Sequence, residues 1–205
     1  MNKSSSTCPL LALAISISIS TGEGASVSFT PGPSSDPVLL QAASGSALAG
    51  AHIFAGSFDT VPSVGIGFAD VSANFDIFAG LSDNPNSPST AFGFIDGGFD
   101  APLEGFESER IFLLVLDTDD LSTASEFALL SSPSWVFQSS ETDNTPTGTT
   151  LEGLEANEFF AGSPGNIDIP GAGSGFSTIQ LEAIPEPSVS LLCFSAGFFL
   201  VRRKR

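Results

Sequence analysis

The chain has 205 residues and carries 23 Asp and Glu against six Lys and Arg, a net charge of −17. A field of that sign repels nucleic acid and anionic lipid, which excludes nucleic acid as a partner, and it draws divalent cations. The length suits one domain with a real core, and the aromatic content is peculiar: 19 Phe, one Trp and no Tyr.

Residues 1–24 read as a secretory signal peptide. Lys3 gives a positive start, Leu10 to Ile19 an apolar stretch, and Gly22 and Gly24 offer small residues for cleavage. Signal peptidase and the secretion machinery are the partners this implies. Residues 25–184 form the expected secreted domain. Ser26 to Thr30 alternates as a first strand should. Val38 to Gly50 is small and apolar, with glycines that argue against a long helix. Ala51 to Ala55, Gly65 to Val71, Ala73 to Ala79 and Ala91 to Ile95 read as further strands. Ile53-Phe54-Ala55-Gly56 recurs as Ile77-Phe78-Ala79-Gly80, which suggests two related β-hairpins.

Ile111 to Leu116 is the most apolar stretch of the domain and too short for a periodic helix, so it is expected as a central buried strand. Asp117 to Thr123 is a turn, and Glu126 to Leu130 and Trp135 to Gln138 are the next strands. Ser139 to Thr150 reads as a loop, Leu151 to Phe160 as the one helix, and Asn166 to Gly175 as a Gly- and Pro-rich connection. Phe176 to Ile184 alternates and is expected as the last strand. Short Phe-, Val- and Ile-bearing segments between Gly, Pro, Asp and Ser turns predict an all-β fold, a jelly-roll-like or Ig-like β-sandwich.

Residues 185–205 differ in kind. Pro185 and Pro187 hold the chain extended around Glu186. Val189 to Val201 is free of charge and proline, and Arg202, Arg203, Lys204 and Arg205 follow it. Thirteen helical residues span about 20 Å, short against a hydrocarbon core of about 30 Å, although arginine stems can snorkel. The expectation is one C-terminal transmembrane helix, its basic end cytoplasmic, with everything before Pro185 outside the inner membrane. This three-part tail resembles the PEP-CTERM sorting signal of exopolysaccharide-producing bacteria. The resemblance implies recognition at Pro185-Glu186-Pro187 by an exosortase, a membrane-embedded protease. It implies a transient membrane anchor, then release to the envelope, the matrix or the medium. Ile111 to Gln138, with Ser125-Glu126-Phe127-Ala128-Leu129-Leu130 and Ser134-Trp135-Val136-Phe137, is similar to a pattern in secreted PEP-CTERM proteins of the Verrucomicrobia; no activity comes with it.

Both cysteines, Cys8 and Cys193, fall in segments expected to be removed, so the mature domain has no thiol chemistry. Setting Glu23 and Glu186 aside leaves 21 acidic residues against Arg110 alone, a charge near −20. His52 is the one histidine and sits in an expected strand, which excludes an H-E-x-x-H zinc site. Ser174 lacks the glycine two places before it that a nucleophile elbow needs. Paired carboxylates from Glu104, Glu107, Glu109 and Glu126 are the one route to hydrolysis, with Trp135 the sole tryptophan to stack on a sugar.

No cofactor is expected, and the acidic turns read first as solvated; calcium is the alternative, since it favours hard oxygens gathered by a turn. Asp117, Asp119 and Asp120 offer them, as do Asp83, Asn84 and Asn86. The first turn is not an EF-hand, because Ser122 and Ala128 stand where glycine and glutamate are required. The sequence thus points to an exported, non-enzymatic envelope or matrix protein associated with exopolysaccharide. A carbohydrate-active hydrolase and a calcium-dependent binding module are the rivals.

Overall fold

Five apolar residues in a row, Phe112 to Leu116, cannot leave either face of a strand in water, because side chains alternate across it. That constraint is met in a computed structural model that describes residues 25–30, 38–48, 50–80, 97–140, 147–151, 154–169 and 173–185. In chain order its elements are β1 (Ala25–Thr30), β2 (Leu39–Gln41), β3 (His52–Ser57), α1 (Phe68–Asn74), β4 (Asp76–Gly80) and β5 (Gly97–Ala101). There follow β6 (Phe112–Leu116), β7 (Glu126–Leu130), β8 (Thr147–Thr150), β9 (Phe159–Ala161), β10 (Ser163–Ile169), β11 (Gly173–Gln180) and β12 (Glu182–Ala183). The fold is all-β, with one short helix and one 3-10 turn among the described residues.

The central sheet runs β12-β7-β6-β3-β4, with β9 also on β7. Antiparallel pairing sets Ile53 against Val115 and Phe54 against Leu114, then Leu114 against Leu129 and Val115 against Ala128. One face of this sheet presents Ile53, Ala55, Leu113, Val115, Ala128 and Leu130. It packs with Ala25 and Val27 of β1, Leu40 of β2 and Ile179 of β11. Those strands belong to two three-stranded sheets, β5-β1-β8 and β10-β11-β2.

The opposite face presents Phe54, Phe112, Leu114, Leu116, Phe127 and Leu129. Phe58, Phe160 and the α1 residues Phe68 and Val71, with Phe75 just beyond, cover it. Phe112 lies edge-on to Phe58 and Phe160 at 5.0 and 5.2 Å between ring centres, a geometry that aromatic quadrupoles favour. The Phe-rich composition is therefore spent on covering both sides of one sheet. Phe78, Phe106 and Phe137 make a second ring cluster on the first face.

Several local expectations change. Gly65 to Val71, expected as a strand, contains the start of α1. The helix buries Val71 fully and supplies the lid that the second face needs. Leu151 to Phe160, expected as a helix, contains among its described residues the 3-10 turn Ala156–Glu158 and the start of β9. There the Glu158 carboxylate accepts from the Glu155 N–H at 2.8 Å, and Phe159 and Phe160 then pass into β9. Trp135 to Gln138 makes a single bridge, Arg110 to Val136, rather than a strand.

The expected loop 139–150 ends in β8, and the expected Gly- and Pro-rich connection contributes to β10 and β11. Ala91 to Ile95 lies outside the described residues. The two Ile-Phe-Ala-Gly copies are neighbours in one sheet, Phe54 opposite Gly80 and Ala55 opposite Ala79. A connection carrying α1 joins them, and Phe54 and Phe78 pack on opposite faces. No described helix is long and apolar enough to cross a membrane. The expected transmembrane helix at 189–201 and signal peptide at 1–24 lie outside the described residues.

Candidate functional site

The sequence changes character at Pro185, directly after the short strand β12 and Ile184. Leu181 is pinned by its N–H to the Gln41 carbonyl at 2.8 Å. Glu182 and Ala183 form β12, paired antiparallel with Phe127 and Glu126. The Glu182 carboxylate accepts from the Gly162 N–H at 3.2 Å. Ile184 donates its N–H to the Ser125 carbonyl at 2.8 Å, and its half-buried side chain packs against the second core cluster. Pro185 comes next, exposed and outside any strand or helix. Glu186, Pro187, Arg202, Arg203, Lys204 and Arg205 lie outside the described residues.

The acidic turn between β6 and β7 holds this exit in place. Ser125 donates both its N–H, at 3.0 Å, and its hydroxyl to the Asp117 carboxylate. Burial works to raise the Asp117 pKa. The Ser125 hydroxyl and the backbone N–H groups of Ser125, Glu126 and Asp117 itself outweigh it, and the pKa falls below the ordinary aspartate value. Asp120 accepts from the Ser122 N–H at 2.8 Å, which, with the Ser122 side chain, lowers its pKa also. Asp119 is exposed and meets the Thr118 hydroxyl at 3.4 Å. The three carboxylates expected to gather a cation thus serve the turn: Asp117 faces Ser125 and Asp120 faces Ser122. Among the described residues no three His, Cys, Asp or Glu are grouped to hold a metal. Asp83, Asn84 and Asn86 lie outside them.

The candidates for hydrolysis are dispersed in use. Glu104, Glu107 and Glu109 are exposed, and Glu107 accepts from the Gly105 N–H at 3.1 Å. Glu126 accepts from the Ala43 N–H at 2.9 Å, tying β7 to the turn after β2. Trp135 is 3% exposed and part of the core, so it offers no face to a sugar. His52 opens β3 opposite Leu116, half-buried.

Arg110 lies over the rings of Phe112 and Phe160, at 5.3 and 5.4 Å. It donates to the Ser131 hydroxyl at 2.7 Å and the Ser131 carbonyl at 3.0 Å. Ser131 is fully buried and its hydroxyl donates in turn to the Ile111 carbonyl at 2.6 Å. Partial burial lowers the Arg110 pKa and Glu158 opposes it, but a guanidinium stays charged at any relevant pH. The one cation of the domain is a bracket joining β6, β7 and β9.

Two features were not singled out from the sequence. One is the Ser125–Ile184 contact, whose only sequence trace is an Asp ending one strand and a Ser preceding the next. The other is an open groove of about 610 Å³ between the loop after β3 and α1, with Phe58 and Ile66 at its base and Asp59, Asp70, Asn74 and Asp76 on its walls. Comparison with known proteins found no matching family model, no matching characterised protein and no matching solved structure.

Proposed function

We propose that this chain is an exported protein of the bacterial cell envelope or extracellular matrix, sorted by an exosortase-like membrane protease. Residues 25–184 act in it as a non-enzymatic β-sandwich domain, structural or adhesive in association with exopolysaccharide. One observation carries the reading. Among the described residues the last backbone bond along the chain is made by Ile184, and the Pro-Glu-Pro triplet begins at the next residue, with Pro185 exposed. An exposed Pro185, outside any strand and directly after the sheet, suits the start of a recognition motif for a processing enzyme. The burial of the central sheet on both faces supports a domain that stands without thiols.

The test is fractionation in an exosortase-bearing host. The full chain is expected in the outer fractions or the medium, and the Pro185→Ala/Pro187→Ala double variant is expected to stay with the inner membrane. Equal distribution of the two proteins would remove the sorting reading.

A carbohydrate-active hydrolase is the second reading, favoured by the groove walled by Asp59, Asp70 and Asp76. It requires that Asp70→Asn or Asp76→Asn abolish release of sugar from an exopolysaccharide that the unaltered protein degrades.

A further inference from the structure

The carboxylates of Asp117, Asp120, Glu126, Asp168 and Glu182 each accept from a backbone N–H, so their charge is spent within the fold. Asp59, Asp70 and Asp76 differ. They are exposed along the groove between the loop after β3 and α1, and among the described residues no hydrogen bond or ion pair engages their carboxylates. Arg110, the one Lys or Arg of residues 25–184, is bonded at Ser131 and does not line the groove. Negative charges thus share a concavity without a counter-ion among the described residues. The groove is also firmly built. Phe58 at its base lies edge-on to Phe112 at 5.0 Å and against Phe75 at 5.3 Å. The loop on one side is tied by the Gly65 N–H to the Phe160 carbonyl at 2.7 Å, and α1 on the other is anchored by buried Val71. Val61, 52% exposed, joins Phe58 and Ile66 in the lining and gives the groove an apolar strip.

The ligand follows from how these groups are spread. A point cation such as calcium takes about six to eight oxygens around one centre. Among the described residues no three acidic groups are so gathered. Charges that line one channel without converging are complementary to positive charges held apart, and the apolar strip is complementary to methylenes between them. A sugar is a poorer match, because Phe58 is buried and presents no open aromatic face. We propose that this groove binds a linear aliphatic polyamine, its ammonium groups at Asp59, Asp70 and Asp76 and its methylene chain along Phe58, Val61 and Ile66. The volume of about 610 Å³ suits a small organic ligand. The net charge of −17 draws polycations to the surface, and the groove selects among them by spacing. Such binding is independent of how the chain is sorted, and it competes with the hydrolase reading for the same groove.

The test is calorimetric titration of the full chain with spermidine, in neutral detergent at physiological salt, where exposed charges more than about 8 Å apart are screened. Saturable binding of one spermidine per chain is expected. Asp59→Asn/Asp76→Asn is expected to weaken it about tenfold, and Asp70→Asn about threefold. Glu104→Gln/Glu109→Gln removes as much charge from exposed residues outside the groove and is expected to change it by less than about twofold. Val61→Ser is expected to weaken spermidine about threefold through lost apolar contact. Hexaamminecobalt(III), a compact cation of like charge with no methylenes, is expected to bind more weakly than spermidine. Unchanged urea midpoints certify that the variants remain folded. Equal losses in the two double variants, or a cobalt ion bound as tightly as spermidine, would reduce the effect to net charge and overturn the proposal. Absence of saturable binding overturns it outright. Binding of pentalysine without binding of spermidine overturns it in favour of a basic polypeptide.

Discussion

Replacing Ser131 with alanine removes one oxygen atom from a fully buried site, and the structure says where the cost falls. The hydroxyl donates to the Ile111 carbonyl at 2.6 Å and accepts from Arg110 at 2.7 Å. Ile111 is itself fully buried, so its carbonyl loses a partner where water cannot replace it, at about 1–3 kcal/mol. Arg110 is half-buried, still reaches solvent and keeps its bond to the Ser131 carbonyl, so its loss is discounted to about 0.5 kcal/mol. The expected cost is about 2–3 kcal/mol, a large share of the 5–15 kcal/mol typical of a domain. Arg110→Met leaves the Ser131–Ile111 bond intact and keeps an apolar stem over Phe112 and Phe160, so it is expected to cost less, about 1 kcal/mol. Urea unfolding followed by the fluorescence of buried Trp135 measures both, with an unchanged m-value as the condition for comparison. A Ser131→Ala cost below about 0.5 kcal/mol, or an Arg110→Met cost greater than that of Ser131→Ala, would refute the assignment of the hydroxyl as the key member of the bracket.

Other perturbations probe separate parts of the structure. A Cβ on Gly56 would meet the Asp76 carbonyl oxygen and Phe75 at 2.6 Å. Gly56→Ala is therefore expected to destabilise by about 1–3 kcal/mol or more, read as a lower midpoint in the same urea assay. The Asp117 carboxyl has a folded pKa below its unfolded value near 3.9, so its contribution is full above about pH 4 and is lost as pH falls through the lower folded value. Acid titration of stability is expected to be shallower in Asp117→Asn, whose side chain does not titrate. Thr178→Val takes the donor from the buried Gln41 amide oxygen, 2.9 Å away, and is expected to cost about 1–3 kcal/mol. Calcium is expected to leave the melting temperature unchanged, because Asp117 and Asp120 are engaged within their own turn. A rise on adding calcium that Asp120→Asn abolishes would restore that turn as a binding site.

What could be read from the sequence follows from how local each cause is. Ile111 to Leu116 declared a doubly buried strand because no amphipathic solution exists for it. The Phe-filled core was legible from composition. The helix Phe68–Asn74 was not, since seven residues with Val71 alone fully buried show no period. It exists to cover Phe54, Phe112 and Phe127, a demand set by distant strands. β10 was hidden by Pro164, Gly165 and Asn166, which read as turn chemistry. It lies at the edge of its sheet, where a proline leaves no inner ladder unpaired. Leu151 to Phe160 carried a real helical start, the reciprocal Glu155 and Glu158 pair, and gave one turn before pairing with β7 claimed Phe159. At the exit, the Pro-Glu-Pro motif was plain in the sequence. Its tether was not, because the Ser125–Ile184 bond spans most of the later chain.

The sorting account is tested most directly by the intact mass of the protein recovered from outside the inner membrane of an exosortase-bearing host. The account predicts a chain that lacks Arg202, Arg203, Lys204 and Arg205. A mature extracellular protein whose mass includes the terminal Arg205 would contradict it.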